Sequence, residues 1–307
     1  MTLSMAWVRN VGDQQELVFS SDSRLRWAGA WDACQKIFPL SRGDCAIAFA
    51  GDTKFAYPFI HAAINAIELH RGSSRRQIDL FEAKSVLLNS INAMLSELRD
   101  FCVGQDQFEE PDLRLIFGGY SWKKKQFALW KFHFNNGERE FRSAEIAEWE
   151  GMGTNRKLVV LGDPNASPST LRRAARTNGT AVEVDEDIEA IAKRALINLL
   201  DSRSLRGGSG LNLEPLEVLR DLIRSDSSPY IGGAPQIVKV YQHMNVQPFG
   251  IRWPSNEGRV AVLGRILPAG EKLHVPILDP ETLMTERQDR LLFAEQQSGQ
   301  TPARSVP

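Results

Sequence analysis

Met1-Thr2-Leu3-Ser4-Met5-Ala6-Trp7-Val8 opens the chain, and the reading of these eight residues decides the fold. Leu3, Met5 and Trp7 alternate with Ser4, Ala6 and Val8, the period of a β-strand with two unlike faces. A strand that starts this early ties the beginning of the chain into a core, where most termini fray. The stretch has no basic n-region and no long apolar h-region before a small-residue cleavage site, so it does not read as a secretory leader.

Working outward, further strand signals cover about 16–21, 33–38 and 44–50, the last running from Asp44 into Gly51. Ile60, Ala63, Ile64 and Ile67 then recur at helical spacing, and Leu87, Ile91, Leu95 and Leu98 repeat the pattern in a helix of about 79–102. Strands return at 112–119 and 126–134. Asn135-Asn136-Gly137 after the latter is a hairpin-turn signal, because Asn and Gly tolerate positive φ. Arg156 to Gly162 reads as a buried strand, followed by helices at about 167–177, 184–201 and 214–224. A strand at 236–243 leads to shorter ones reaching about 278, and 280–296 suits an amphipathic helix with Leu283, Leu291, Leu292 and Phe293 as its apolar positions.

Runs of strands separated by amphipathic helix pairs predict an α+β fold in which two packed sheets carry helices on their outer faces, a four-layer αββα sandwich. The expected organisation is one domain over 2–265 with an insertion at about 202–227. A C-terminal extension, 266–307, would hold the helix at about 280–296 and a disordered polar tail from Ser298.

Composition narrows the function classes. Of 307 residues, 37 are basic and 38 acidic, a formal net charge of −1 that gives no electrostatic argument for a nucleic-acid or anionic-membrane partner. The basic run Lys123-Lys124-Lys125 reads as a solvated hairpin tip. No apolar stretch approaches the roughly 18 residues that span a bilayer. Cys34, Cys45 and Cys102 are widely spaced, which argues against a disulfide framework or a structural zinc site and for a reducing cytoplasm. The five histidines form no H-x-x-x-H or H-E-x-x-H arrangement, so neither a metal nor any other cofactor is expected. The glycines at 207, 208 and 210 lack the pattern of a phosphate loop.

Thr2 is the candidate nucleophile. A threonine hydroxyl is weak without an adjacent general base. Removal of Met1, expected before a small residue, would free an α-amine on the same residue, with a reference pKa of about 7.7–8.0. Such a site also needs a nearby cation, a carboxylate to orient it, and a backbone N–H for the oxyanion. Asp22, Lys36 and Gly51 each follow or lie in a predicted strand and supply those types. Each also has a plain alternative: a turn aspartate, a strand-edge lysine, a helix-entry glycine.

In this order the segments resemble the proteasome β-type subunits of the N-terminal nucleophile (Ntn) hydrolases, including the bacterial HslV-like peptidases. The resemblance is carried by Thr2 with Ala6, Ser21-Asp22-Ser23-Arg24, Gln35-Lys36-Ile37-Phe38-Pro39 and Ala48-Phe49-Ala50-Gly51. Looser matches follow at Ile116 to Tyr120, Val160-Leu161-Gly162 and Tyr230-Ile231-Gly232-Gly233. It implies a peptidase forming an acyl-enzyme on Thr2, with Lys36 and its partner Asp22 tuning the nucleophile and the Gly51 N–H as oxyanion hole. It implies substrate contacts at Leu25 and Arg26, and a first specificity pocket lined by Cys34, Phe49 and Thr53, made shallow by Phe49. It further implies a peptide or unfolded-polypeptide substrate inside a homo-oligomeric ring, with an unfoldase common among relatives.

The supporting shell departs from the family pattern. Asp163 stands where a serine follows the strand glycine, and Ser228 and Ile231 flank the Gly-Gly segment in place of an aspartate and a serine. Asp163 and Ser228 would restore the network by exchange, or Asp201 would supply the carboxylate. Two other readings stay open: an amidase acting on a small molecule with the same nucleophile, and a catalytically silent subunit of a ring assembly.

Overall fold

The computed structural model describes residues 2–26, 29–98, 110–147, 149, 157–162, 187–206, 208, 210–225, 231–254, 259–268, 270–271 and 274–286. The opening alternation forms β1 (Leu3–Val11), paired with β2 (Gln14–Ser21), and a short hairpin follows, β3 (Leu25–Arg26) with β4 (Ala30–Trp31). β5 (Ile37–Pro39) and β6 (Cys45–Gly51) lead into helices α1 (Thr53–Leu69), α2 (Arg71–Ser74) and α3 (Leu80–Ser96). A meander of β7 (Leu113–Ser121), β8 (Gln126–Asn135) and β9 (Glu140–Glu145) precedes β10 (Leu158–Gly162). Helices α4 (Ile188–Ser202) and α5 (Glu214–Ser225) come before β11 (Gln236–Tyr241) and β12 (Asn245–Arg252). Four short strands close the described chain: β13 (Val260–Val262), β14 (Arg265–Ile266), β15 (Ile277–Leu278) and β16 (Thr285–Glu286).

Two larger sheets result. One runs β10-β1-β2-β11-β12-β13-β14, with β15 and β16 attached through β12; the other runs β5-β6-β7-β8-β9. All their pairings are antiparallel except β12 with β15. Strand alternation sorts the core. Ala6, Val8, Leu17 and Phe19 meet Ala46, Ala48, Ala50, Ile116 and Leu129 between the sheets, where the alanines of β6 permit close approach. Leu3, Met5 and Trp7 take the opposite face of β1 and pack with α4 and α5. Ile47, Phe49, Leu115 and Phe117 pack with α1 and α3.

The expected αββα sandwich is corrected by the balance of elements: among the described residues the structure is mostly antiparallel sheet, 37% strand against 29% helix. Apolar spacing overcounts helix here. The helix expected to 102 has its last helical residue at Ser96, and the one expected over 167–177 lies outside the described residues. The stretch 280–286 is turn and strand instead of helix. Asp279 Oδ1 accepts the N–H groups of Glu281 and Thr282, Leu283 takes a φ of 56°, and β16 then pairs with β15. Residues 287–307 lie outside the described set. β9, a stretch to which the sequence reading assigns no element, follows the Asn135-Asn136-Gly137 turn and pairs with β8 from Glu140 to Glu145.

Lys123-Lys124-Lys125 does form the turn between β7 and β8. Lys123 Nζ is 2.9 Å from Glu82 Oε1, and Lys124 Nζ lies 3.6 Å from the centroid of the Phe81 ring. Among the described residues, no helix is long and apolar enough to cross a membrane, and no group of three or more His, Cys, Asp or Glu is placed to hold a metal ion.

Candidate active site

Three strand ends converge beside Thr2. Thr2 is buried at the head of β1, and alternation puts its side chain on the face of Ser4, whose Oγ donates to Phe49 O in β6 at 2.7 Å. That is the face turned toward the five-stranded sheet, near the end of β6 where Gly51 lies.

Asp22, just after β2, is fully buried, and its carboxylate is saturated. Oδ1 accepts from Lys36 Nζ at 2.9 Å and from Leu3 N at 3.0 Å; Oδ2 accepts from Arg24 N at 3.0 Å and Gly232 N at 3.1 Å. One oxygen thus joins the ammonium of Lys36 to the peptide nitrogen that follows Thr2. Burial holds the Lys36 amine below the usual lysine range, and the Asp22 carboxylate opposes that by favouring the charged form.

Gly51 ends β6 at a φ of 119°, where a Cβ would run into the Asp112 carbonyl. Tyr120 N donates to Asp44 O and Asp52 N to Asp112 O, which fixes the hydrogen-bonded pairs of β6 with β7 at even-numbered residues of β6. Gly51 therefore faces Leu113 as a non-hydrogen-bonded pair, and its N–H points away from β7, to the side of β6 where β5 does not extend. Helix α1 starts immediately beyond, capped by Asp52, whose Oδ1 accepts from Lys54 N at 2.9 Å. Its N-terminal dipole adds positive potential at this end.

The residues expected at the first specificity pocket are close in the fold but tightly filled. Phe49 has no exposed surface, with its ring centroid 5.7 Å from that of Tyr57 and 6.4 Å from that of Phe38. Tyr57 OH donates to Gln35 O at 3.0 Å. Cys34 is buried, and burial raises its thiol above the ordinary value. Thr53 is half-buried at the start of α1. Leu25, also half-buried, and Arg26 form the strand β3, and Trp31 opposite Leu25 is 68% exposed.

The supporting shell is only partly visible. Asp163 and Ser228 lie outside the described residues. Asp201 does not take their place. Ile188 and Glu189, at the start of α4, pack on Gly162, the partner of Leu3, whereas Asp201 lies 13 residues along the helix, about 20 Å at 1.5 Å per residue. There Asp201 pairs with Arg206 at 3.0 Å. Glu189 instead faces the site's edge: its Oε2 accepts from Arg114 Nη1 at 3.1 Å and Gly162 N at 3.4 Å, while Arg114 Nη2 donates to Gly162 O.

Sequence reasoning missed this tie, and it missed Gln236 and the Ser4–Ser21 hydroxyl pair, 2.8 Å apart. The alternation signalled a serine on the inner face of β1, but nothing in the sequence marked Gln236. Arg24, the last residue of the Ser21-Asp22-Ser23-Arg24 segment, braces this end of the molecule. It is bidentate to Asp32 at 2.6 and 2.9 Å and lies against Gly232, where any side chain would clash with its guanidinium. The hydrogen bond from Arg24 holds the Asp32 carboxyl below the usual range.

No family model matches the chain, and no curated protein does. Among solved structures it is similar to the Gly-1 mutant of Anbu from Hyphomicrobium sp. strain MC1, at 13% identity over 100% of both chains with a TM-score of 0.44. That likeness is too slight to carry an argument. The resemblance to proteasome β-type subunits is therefore corrected: without a matching family model, the motifs assign this chain to no family.

Proposed function

We propose that the chain is an amide-bond hydrolase whose nucleophile is the Oγ1 of Thr2, acting on peptide substrates. The observation that carries this reading is the shared Asp22 Oδ1, which accepts both from the buried ammonium of Lys36 and from the N–H of Leu3. A fully buried Lys–Asp pair costs desolvation energy on both charges, so stability alone is a poor reason for it. Its link to the peptide nitrogen that follows Thr2 supports a chemical role.

In the proposed reaction the free α-amine of Thr2 takes the proton from Oγ1 as Oγ1 bonds to the substrate carbonyl carbon. The Lys36 charge favours the neutral amine and the anionic oxygen. The oxyanion receives the Gly51 N–H, and the bond to the leaving amine breaks as that nitrogen takes the proton from the α-ammonium. Water, deprotonated by the same amine, then cleaves the Thr2 ester and restores the hydroxyl. Leu25 and Arg26 would hold the substrate backbone in extended form along β3, with the side chain before the scissile bond directed at Cys34, Phe49 and Thr53. Asp163 and Ser228 remain the proposed supports of the amine. A homo-oligomeric ring, in the cytoplasm, belongs to the same proposal.

The test combines mass and digestion. Intact mass should show loss of Met1, and a peptide library should be cut by the wild type and not by Thr2→Ala, a loss of at least about 10³-fold. The size of the native particle, read on the same sample, tests the ring. Retained Met1 would block the base and sink the reading. Ester or small-amide turnover lost in Thr2→Ala, without peptide cleavage, would keep the nucleophile and replace the substrate.

A further inference from the structure

β5 leaves β6 one pair earlier than its register allows. Leu40 N donates to Cys45 O at 3.1 Å, and Ile37 faces Ala48, so the hydrogen-bonding pairs of this ladder continue through Phe38–Ile47 to Lys36–Phe49. The bond from Lys36 N to Phe49 O is replaced on both sides by side chains. Lys36 N donates to Gln236 Oε1 at 3.0 Å, and Phe49 O accepts from Ser4 Oγ at 2.7 Å.

Gln236 does more than accept one bond. It opens β11 opposite Ser21 and is 1% exposed. Its Nε2 lies 3.0 Å from Asp22 O, 3.0 Å from Ser23 Oγ and 2.7 Å from Cys34 O. One amide therefore grips the main chain of both members of the Asp22–Lys36 pair, giving to the first and taking from the second. A side chain with both an acceptor and a two-proton donor is required, and glutamine meets this without adding charge.

We propose that Gln236 is a positioning residue for catalysis: with Ser4 it holds the β5–β6 ladder open at Lys36, fixing Lys36 and Asp22 relative to Thr2 and leaving the Gly51 N–H unobstructed. The inference rests on the Thr2 reading. It goes beyond that reading because none of the proposed chemical steps uses Gln236. A shift of about 1 Å in such a constellation costs roughly 10²-fold in rate, although Gln236 touches neither substrate nor nucleophile. The titratable groups that face it are Asp22, Lys36 and Cys34, with Arg24 and Asp32 beyond them.

The experiment follows labelling of Thr2 in the full-length protein by a peptide β-lactone. Thr2 Oγ1 attacks the lactone carbonyl, the ring C–O bond breaks, and the released oxygen takes the proton, so the intact mass rises by one whole lactone. Gln236→Leu and Gln236→Glu should label about 10- to 100-fold more slowly than wild type. In Gln236→Glu the ratio to the wild-type rate should rise as pH falls, because protonating the new carboxyl restores a donor beside an acceptor. A residue that served only stability would not give that pH-dependent ratio. Equal labelling of wild type and variants overturns the inference alone, and so does a slower Gln236→Glu whose ratio is flat with pH. Absence of label on the wild type removes the Thr2 reading and the inference with it. If Gln236→Leu fails to fold, the near-isosteric glutamate variant decides.

Discussion

Two fully buried ion pairs sit at different places in this molecule, Asp22 with Lys36 and Asp44 with Arg42, and they are built for different ends. Arg42 and Asp44 are two residues apart in one turn. Their contact is bidentate, at 2.6 and 2.8 Å, and Arg42 adds a bond to Ile78 O at 3.1 Å while its own carbonyl accepts from Arg76. The pair closes the β5–β6 turn onto the segment between α2 and α3. Its hydrogen bonds and the Asp44 charge hold the guanidinium above its already high range against burial, so its charge is fixed. Asp22 and Lys36 come from separate strands, and a single N–O contact joins them. The carboxylate there is held mainly by backbone N–H groups, and burial holds the amine below the ordinary lysine value. Burial is common to both pairs. What separates them is the direction in which the cation's pKa is moved and what lies next to the shared oxygen.

The sharpest way to break this contrast is to remove one partner from each pair. Asp44→Asn leaves a buried guanidinium without its carboxylate and should cost about 3–5 kcal/mol in urea unfolding. The fraction that stays folded should keep its specific activity. Lys36→Met should do the reverse. Asp22 retains three backbone donors, so the stability loss should stay within about 1–3 kcal/mol. The labelling rate at Thr2 should nevertheless fall about 10²- to 10³-fold, the scale of a lost electrostatic contact in the transition state. If Asp44→Asn were the inactive variant and Lys36→Met the unstable one, the assignment of the two pairs would be inverted.

Sequence made the neighbourhood of Thr2 more legible than the sheet around it. Thr2, Asp22, Lys36 and Gly51 stand out because a threonine nucleophile needs a carboxylate, a cation and a backbone N–H, and each of the other three supplies one of these in or beside a predicted strand. The structure brings Asp22 and Lys36 into contact and places Gly51 at the free edge of β6. Gln236 was invisible because its meaning is entirely non-local: its partners are about 200 positions away in sequence, and a buried glutamine at a strand start has no periodic signature. The last short strand, β16, escaped although the shorter strands before it, reaching about 278, were expected. Leu283 and its neighbours have helical spacing, but Leu283 takes a positive φ of 56° and Asp279 N donates to Met284 O, which turns the chain back into the β15–β16 pairing. Apolar spacing does not record such a local turn.

The finest distinction between the pairs is a pH slope. Folding lowers the Lys36 pKa below the ordinary lysine value of 10.5. Between the folded and unfolded values the unfolded chain binds more protons, so stability from this group rises with pH across that window and is constant below it. The difference in unfolding free energy between wild type and Lys36→Met should therefore tilt toward the wild type as pH climbs to 10.5. Arg42 is shifted the other way, upward, and stays protonated in both states over the same window, so Arg42→Met should show no such tilt. Cys34 titrates nearby and feels the Lys36 charge, so both comparisons belong in a Cys34→Ser background. A flat difference for Lys36→Met would mean that Asp22 holds the amine as firmly charged as Asp44 holds the guanidinium. The two buried pairs would then be alike in charge, and the contrast between them would rest on what lies next to the shared Asp22 oxygen alone.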